Sequence, residues 1–360
     1  MMIALLALSI ATAPPSEQRA VDVTGYQLFW AVHRHLAADR EAPAELLDSL
    51  FATPGYRALQ ERERRRGRIT LAMRLAFLPR LVAQRESLEA ADSWVKTVVP
   101  HLRHAADNKA KLDAFVQSFT SSTTLRAADS IARRFLPPSV RPADGHPPIS
   151  IILFARDGRG YPHLIVADAA RLAALGDHTR FFAHEFHHYY RHTLSRESPS
   201  IPPGASALRA VLTNIEFEGI ADRLDKSAVT ELSEAAFRET YTDSAERAYL
   251  ARYRHEFARG PAWIALLDSA LAGMPNDSAS YARVASMLGS RLPDGGRVLG
   301  AYMSATITKA FGQDALADVA GDPKRFFALY SRAAAACGAT CGLLSPRSLA
   351  VIESLYPNPG

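Results

Sequence analysis

A mainly α-helical chain with one small β element is the fold this sequence predicts, and three observations carry the prediction. Apolar residues recur at three- and four-residue steps through most of the 360 residues. Only one stretch, residues 149–167, breaks into short apolar runs of β character around a Gly-rich turn. A hydrophobic content of 48% with 22% charged residues is that of a folded protein with a substantial core, which sets disordered and fibrous classes aside. The expected architecture is mainly α (α+β), with helical, bundle-like lobes around one histidine-rich helix and a small antiparallel hairpin beside it.

Met1 to Ala13 is a short apolar run that ends in a small-x-small triplet before Pro14-Pro15, the pattern of a signal peptide cut after Ala13. It predicts export to the periplasm or medium; the rival is a buried or frayed N-terminal helix. No other stretch reaches the ~18 apolar residues of a membrane span, so stable insertion of the mature chain is not expected.

Residues 14–143 read as an N-terminal helical region. Tyr26, Leu28, Phe29, Val32 and Leu36 keep helical spacing, and Leu46, Leu47, Leu50 and Phe51 continue it to the turn signal Thr53-Pro54-Gly55. Amphipathic segments follow near 70–90, 92–105, 108–119 and 123–135. The pairs His33/His35 and His101/His104 read as surface or capping residues. The densest charge run, Glu61 to Arg68, mixes both signs, and with a net charge of only +5 and no aromatic-interleaved basic stripe, a nucleic-acid partner is not expected.

A Pro/Gly-rich connector, Pro137 to Pro148, leads into a predicted core of residues 144–230. Ile149 to Ala155 reads as a strand, Asp157-Gly158-Arg159-Gly160 as a turn and His163 to Ala167 as a second strand, together an antiparallel hairpin. Asp168 opens a short helix or loop, and Asp177-His178-Thr179 offers caps for the helix that follows. Ser198, Pro199, Pro202, Pro203 and Gly204 mark an irregular loop before a helix over Ser206 to Lys226. The C-terminal region, 231–360, reads as helices near 231–258, 261–272, 276–290, 297–312, 322–335 and 345–355. Cys337 and Cys341, the only cysteines, fit a small disulfide loop in an exported protein, with a reduced pair as the alternative.

The histidine-rich helix carries His184-Glu185-Phe186-His187-His188, an H-E-x-x-H pattern. Positions four apart lie about 40° apart around a helix, so His184 and His188 can offer two ring nitrogens to one metal ion, while Glu185 lies about 100° further round, beside the metal. A catalytic zinc site needs a third protein ligand and one open position. Asn214 to Asp222 supplies Glu216 and Glu218, about 200° apart on a helix, so only one can face the metal. Glu218 is the choice: Gly219 beside it permits a close approach of the two helices, and Asp222, one turn on, can bond the free ring nitrogen of a histidine ligand. His187 reads as a packing or outer-layer residue.

H-E-x-x-H followed by Glu218-Gly219-Ile220-Ala221-Asp222 resembles the gluzincin group of zinc metallopeptidases, and most closely a family of uncharacterised bacterial zinc-dependent peptidases. The motifs cover residues 181–226. Two features depart from the group's pattern: the 30 positions between His188 and Glu218, and the absence of a G-A-M-E-N signature upstream, which argues against aminopeptidase action. The resemblance implies one Zn²⁺ held by His184, His188 and Glu218, water activation with Glu185 as general base, and a peptide or protein substrate. It also implies a residue that stabilises the oxyanion, for which Tyr302 and Arg297 are candidates, with Tyr241 and His255 behind them. Two rivals stand beside this reading: a non-catalytic, zinc-stabilised helical scaffold, and a zinc hydrolase of a non-peptide amide or ester. Oligomeric state has no signature here.

Overall fold

In the computed structural model the described residues are 21–356, except 83–84, 120–121, 141–144, 195–200, 203, 242 and 276. The expected leader, Met1 to Ala13, and part of the Pro-rich loop at 198–203 lie outside them. Helices dominate, and the predicted segments recur with small shifts at their ends: Ser93–Asp107, Lys109–Ser118, Ser206–Asp225, Gly260–Ala272, Ser278–Arg291, Arg297–Phe311, Pro323–Cys337 and Pro346–Leu355. The segment near 70–90 divides into Arg66–Phe77, Pro79–Val82 and Arg85–Glu89, and that at 231–258 into Ser227–Glu231, Glu234–Thr240 and Ser244–Ala258. Among the described residues no helix is long and apolar enough to cross a membrane. Cys337 and Cys341 are joined as a disulfide.

The sheet differs from the expected hairpin. It has three strands, β1 (Ile149–Ile152), β2 (Gly158–Tyr161) and β3 (Leu164–Asp168), in the order β1-β3-β2. β1 runs parallel to β3, with Ile149 opposite Ile165, and the antiparallel partner of β3 is β2, with Tyr161 opposite Leu164. The residues read as a turn are thus a strand. The reason is burial: every residue of β1 and β3 is buried, as suits a parallel pair covered on both faces, and the partly exposed, glycine-containing β2 lies at one edge. Beyond β1, the Asp22 amide donates to the Ile149 carbonyl (2.9 Å) and the Ile151 amide to the Asp22 carbonyl (2.8 Å), which extends the sheet by one bridge.

The apolar residues gather in three clusters. The first joins the N-terminal helices, the sheet and Phe182, Ala183, Phe186 and Tyr190 of the histidine helix (His178–His192). The second joins Leu208, Leu212, Ile215 and Ile220 of the glutamate helix (Ser206–Asp225) to Leu299, Met303 and Ile307 of the arginine helix (Arg297–Phe311) and to the C-terminal helices. A small third cluster centres on Phe237 and Tyr253.

Candidate metal centre

The histidine helix begins where the Asp177 carboxylate accepts the Arg180 amide (3.0 Å). With its aromatic stripe set in the first cluster, its other face carries His184 and His188, both buried, with their Nε2 atoms 3.0 Å apart. Glu218 reaches both rings: Oε1 lies 3.5 Å from His188 Nε2, and Oε2 lies 3.7 Å from His184 Nε2. A tetrahedral zinc ion bonded at 2.0–2.1 Å separates its donors by about 3.3 Å, so this set has the right type and spacing. Glu218 Oε2 is buried without a hydrogen-bond partner among the described residues, which leaves its lone pairs available to an ion.

Glu216 faces elsewhere. It is fully buried, paired with Arg191, and accepts the Gly321 amide at 2.8 Å. The close approach that Gly219 permits is also not the one expected. A Cβ there would stand 2.3 Å from the Gly300 carbonyl carbon, and one on Gly300 would stand 1.8 Å from the Ile215 carbonyl oxygen. The glycine pair therefore sets the glutamate helix against the arginine helix, not against the histidine helix.

An outer layer backs His184. Its Nδ1 lies 3.3 Å from Asp225 Oδ1 and 3.5 Å from Asp222 Oδ1. Asp222 in turn accepts from Tyr253 Oη (3.0 Å) and Lys226 Nζ (2.8 Å), and the same ammonium bonds Asp225 at 2.8 Å. Arg297, first residue of its helix, brings Nη2 to 3.3 Å from His184 Nε2 and Nε to 3.5 Å from Glu218 Oε2. Tyr302 does not join the cluster: its hydroxyl donates to the Cys341 carbonyl (3.2 Å), and its ring packs on Phe257 and Gly260. Tyr241 packs on Phe237, and His255 is exposed.

Glu185 is buried and lies against β2. A Cβ on Gly158 would stand 2.7 Å from Glu185 Oε1, and one on Gly160 would stand 2.6 Å from the Glu185 carbonyl oxygen. Glycine at these alternate positions lets the edge strand rest directly on the histidine helix.

The profile of the family described as "Putative zinc dependent peptidase (DUF5700)" matches residues 47–337. The chain belongs to this family. No curated protein and no solved structure matches it. Every residue of the candidate centre lies within the span that this family's profile matches.

In this family member the electrostatics separate the site's groups. Burial pushes the Glu185 carboxyl up to about 7, with the nearby Asp157 and Glu218 adding to the rise and His184 opposing it. Glu218 is held well below the carboxylate range, because Arg297 and both histidines outweigh its burial. Burial pushes His188 down to about 4, against the pull of Glu218. His184 is raised: burial disfavours its charge, but the Asp225 carboxylate more than compensates. His187 is fully buried and held well below the usual imidazole range by burial and by the neighbouring histidines.

Asp225, Lys226, Tyr253 and the two β2 glycines escaped the sequence reading. Asp225 had a signal, since Glu218, Asp222 and Asp225 fall at i, i+4 and i+7 on one helical face. Tyr253 arrives from a distant helix and had none.

Proposed function

We propose that the protein is a zinc metallopeptidase in which His184, His188 and Glu218 hold one zinc ion and Glu185 is the general base. The observation that carries this reading is the convergence of three donors, 3.0 to 3.7 Å apart, beside one further buried carboxylate. A zinc ion held there supplies a Lewis acid that acidifies water and polarises a carbonyl. Glu185, poised near neutral pH, takes the proton of the attacking water and returns it to the leaving amine. Arg297 borders the donors and faces the negative charge that develops on the carbonyl oxygen.

Peptides are the favoured substrates because β2 lies at the sheet edge directly on the histidine helix, where an extended chain can pair with it. Part of that edge is already engaged, since His192 Nε2 contacts the Gly160 carbonyl at 3.2 Å. A purely structural zinc site is disfavoured: it closes the coordination shell with a fourth protein ligand, and among the described residues the group around His184, His188 and Glu218 has three. Export is part of the proposal, supported by the leader pattern of residues 1–13 and by the Cys337–Cys341 disulfide.

The test is metal analysis joined to a peptide-library assay. Wild type should hold one zinc per chain, Glu218→Ala should lose it, and Glu185→Gln should keep it while cleavage falls by about 10²–10⁴-fold. A zinc-free wild type, or a Glu185→Gln variant as active as wild type, would overturn the reading. Zinc-dependent hydrolysis of esters alone would move it to the non-peptide alternative.

A further inference from the structure

The two histidine donors are held by different means. Histidine ligands ordinarily engage their second ring nitrogen with a carboxylate, a carbonyl or water, which fixes the plane of the ring. His184 follows that rule through Asp225, whose Oδ1 lies 3.3 Å from Nδ1, with the Asp222 carboxylate beside it at 3.5 Å. His188 does not: its Nδ1 is buried and, among the described residues, has no hydrogen-bond partner. Its ring instead lies face to face on Phe217, with centroids 4.0 Å and planes 9° apart.

Phe217 is itself held by two further side chains. The Arg191 guanidinium stands 5.1 Å from its centroid, and the His192 ring 5.4 Å. Arg191 is anchored in turn by the buried carboxylate of Glu216. β2 closes in on His188 as well, for a Cβ on Gly160 would stand 2.6 Å from His188 Cβ. Three successive residues of the glutamate helix thus act on the histidine helix: Glu216 anchors Arg191, Phe217 packs against both Arg191 and His188, and Glu218 faces the His188 Nε2.

We propose that Phe217 is the positioning residue of His188, fixing by face-to-face stacking the ring plane that a hydrogen bond at the second nitrogen fixes for His184. The proposal rests on the zinc reading of the site. Stacking sets orientation without the gain in basicity that a hydrogen-bonded carboxylate gives a ligand.

The experiment measures zinc affinity of the metal-stripped full chain against a chromophoric chelator, for wild type, Phe217→Leu and Phe217→Tyr, with thermal melts of the metal-free forms. Leucine keeps apolar volume but removes the ring face, and affinity should fall about 10–100-fold, as on loss of other groups that orient a ligand, with the metal-free melt unchanged. Tyrosine keeps the face and should restore wild-type affinity, a rescue that a general packing role would not give. If Phe217→Leu does not melt cooperatively, Phe217→Met is measured by the same criterion. Wild-type affinity in the leucine or methionine variant overturns the role of Phe217 and leaves the zinc reading standing. A wild type that binds no zinc removes the zinc reading, and this inference with it.

Discussion

Arg297 grips Asp222 as a fork: Nε lies 2.8 and 2.9 Å from the two carboxylate oxygens, and Nη2 lies 2.6 Å from Oδ1. The pairing spends two of the three guanidinium nitrogens on orientation and sets the charge beside His184 and Glu218. Arg297→Lys keeps the charge but cannot make the fork. Peptide kcat/KM should fall by about 10²–10³-fold, the loss expected for one oxyanion donor, with zinc content unchanged. Arg297→Met should also lower stability in urea by about 3 kcal/mol, at the low end for a broken buried pair because Arg297 is partly exposed and Lys226 and Tyr253 still bond the buried Asp222.

Gly158→Ala tests the contact between the edge strand and Glu185, the proposed general base. The added methyl would meet Glu185 Oε1 at 2.7 Å and Phe181 Cζ at 2.6 Å, so the carboxylate must move. Zinc should stay bound while cleavage drops about 10²-fold, as for a catalytic group displaced by roughly an ångström. Full activity in this variant would detach Glu185 from its proposed role.

Gly300→Ala tests the helix crossing that carries Glu218 and Arg297. Its methyl would strike the Ile215 carbonyl oxygen at 1.8 Å, a backbone atom with no rotamer to yield. The expected cost is at least the ~1–3 kcal/mol of an overpacked core, read as a lower urea midpoint. Zinc affinity should weaken in parallel, because Glu218 moves with its helix.

His101 and Asp168 give a pH signature away from the metal centre. His101 Nε2 lies 3.0 and 3.1 Å from the two Asp168 oxygens, and Asp168 also accepts the Phe154 and Arg171 amides at 2.9 Å. Burial works to lower the His101 pKa, but the charge of Asp168 and the hydrogen bond to it prevail and raise it. A raised folded pKa adds stability that is complete below the unfolded value of about 6.5 and disappears as pH rises through the folded one. The stability difference between wild type and His101→Asn should therefore be larger at pH 5.5 than at 8.5. Denaturant titrations at the two pH values measure it.

Much of this molecule was legible in its residues because helices and metal motifs are written locally. His184 and His188 pair by spacing, and helical angle shows that only one of Glu216 and Glu218 can join them. Asp222, one turn on, points to Glu218, which the structure brings to both rings; Gly219, the other ground for that choice, packs on the arginine helix instead. The misreadings were non-local. Gly158-Arg159-Gly160 has the composition of a turn, and only the helix lying on it explains why a strand there needs glycine. The parallel pairing of β1 with β3 follows from burial on both faces, which a short apolar run does not reveal. Tyr302 stands five residues from Arg297 on one helix, yet its hydroxyl is bound to the Cys341 carbonyl, a destination that depends on the fold of the C-terminal loop.

The distribution of the donors over the hydrophobic clusters has one further consequence. His184 and His188 ride on a helix rooted in the first cluster, whereas Glu218 and Arg297 ride on helices rooted mainly in the second. A metal ion bound by all three donors is a clasp across that seam, and its binding energy becomes resistance to separation of the two parts. Zinc occupancy would then govern how the molecule melts, in one cooperative transition when loaded and with the halves less tightly coupled when stripped by a chelator.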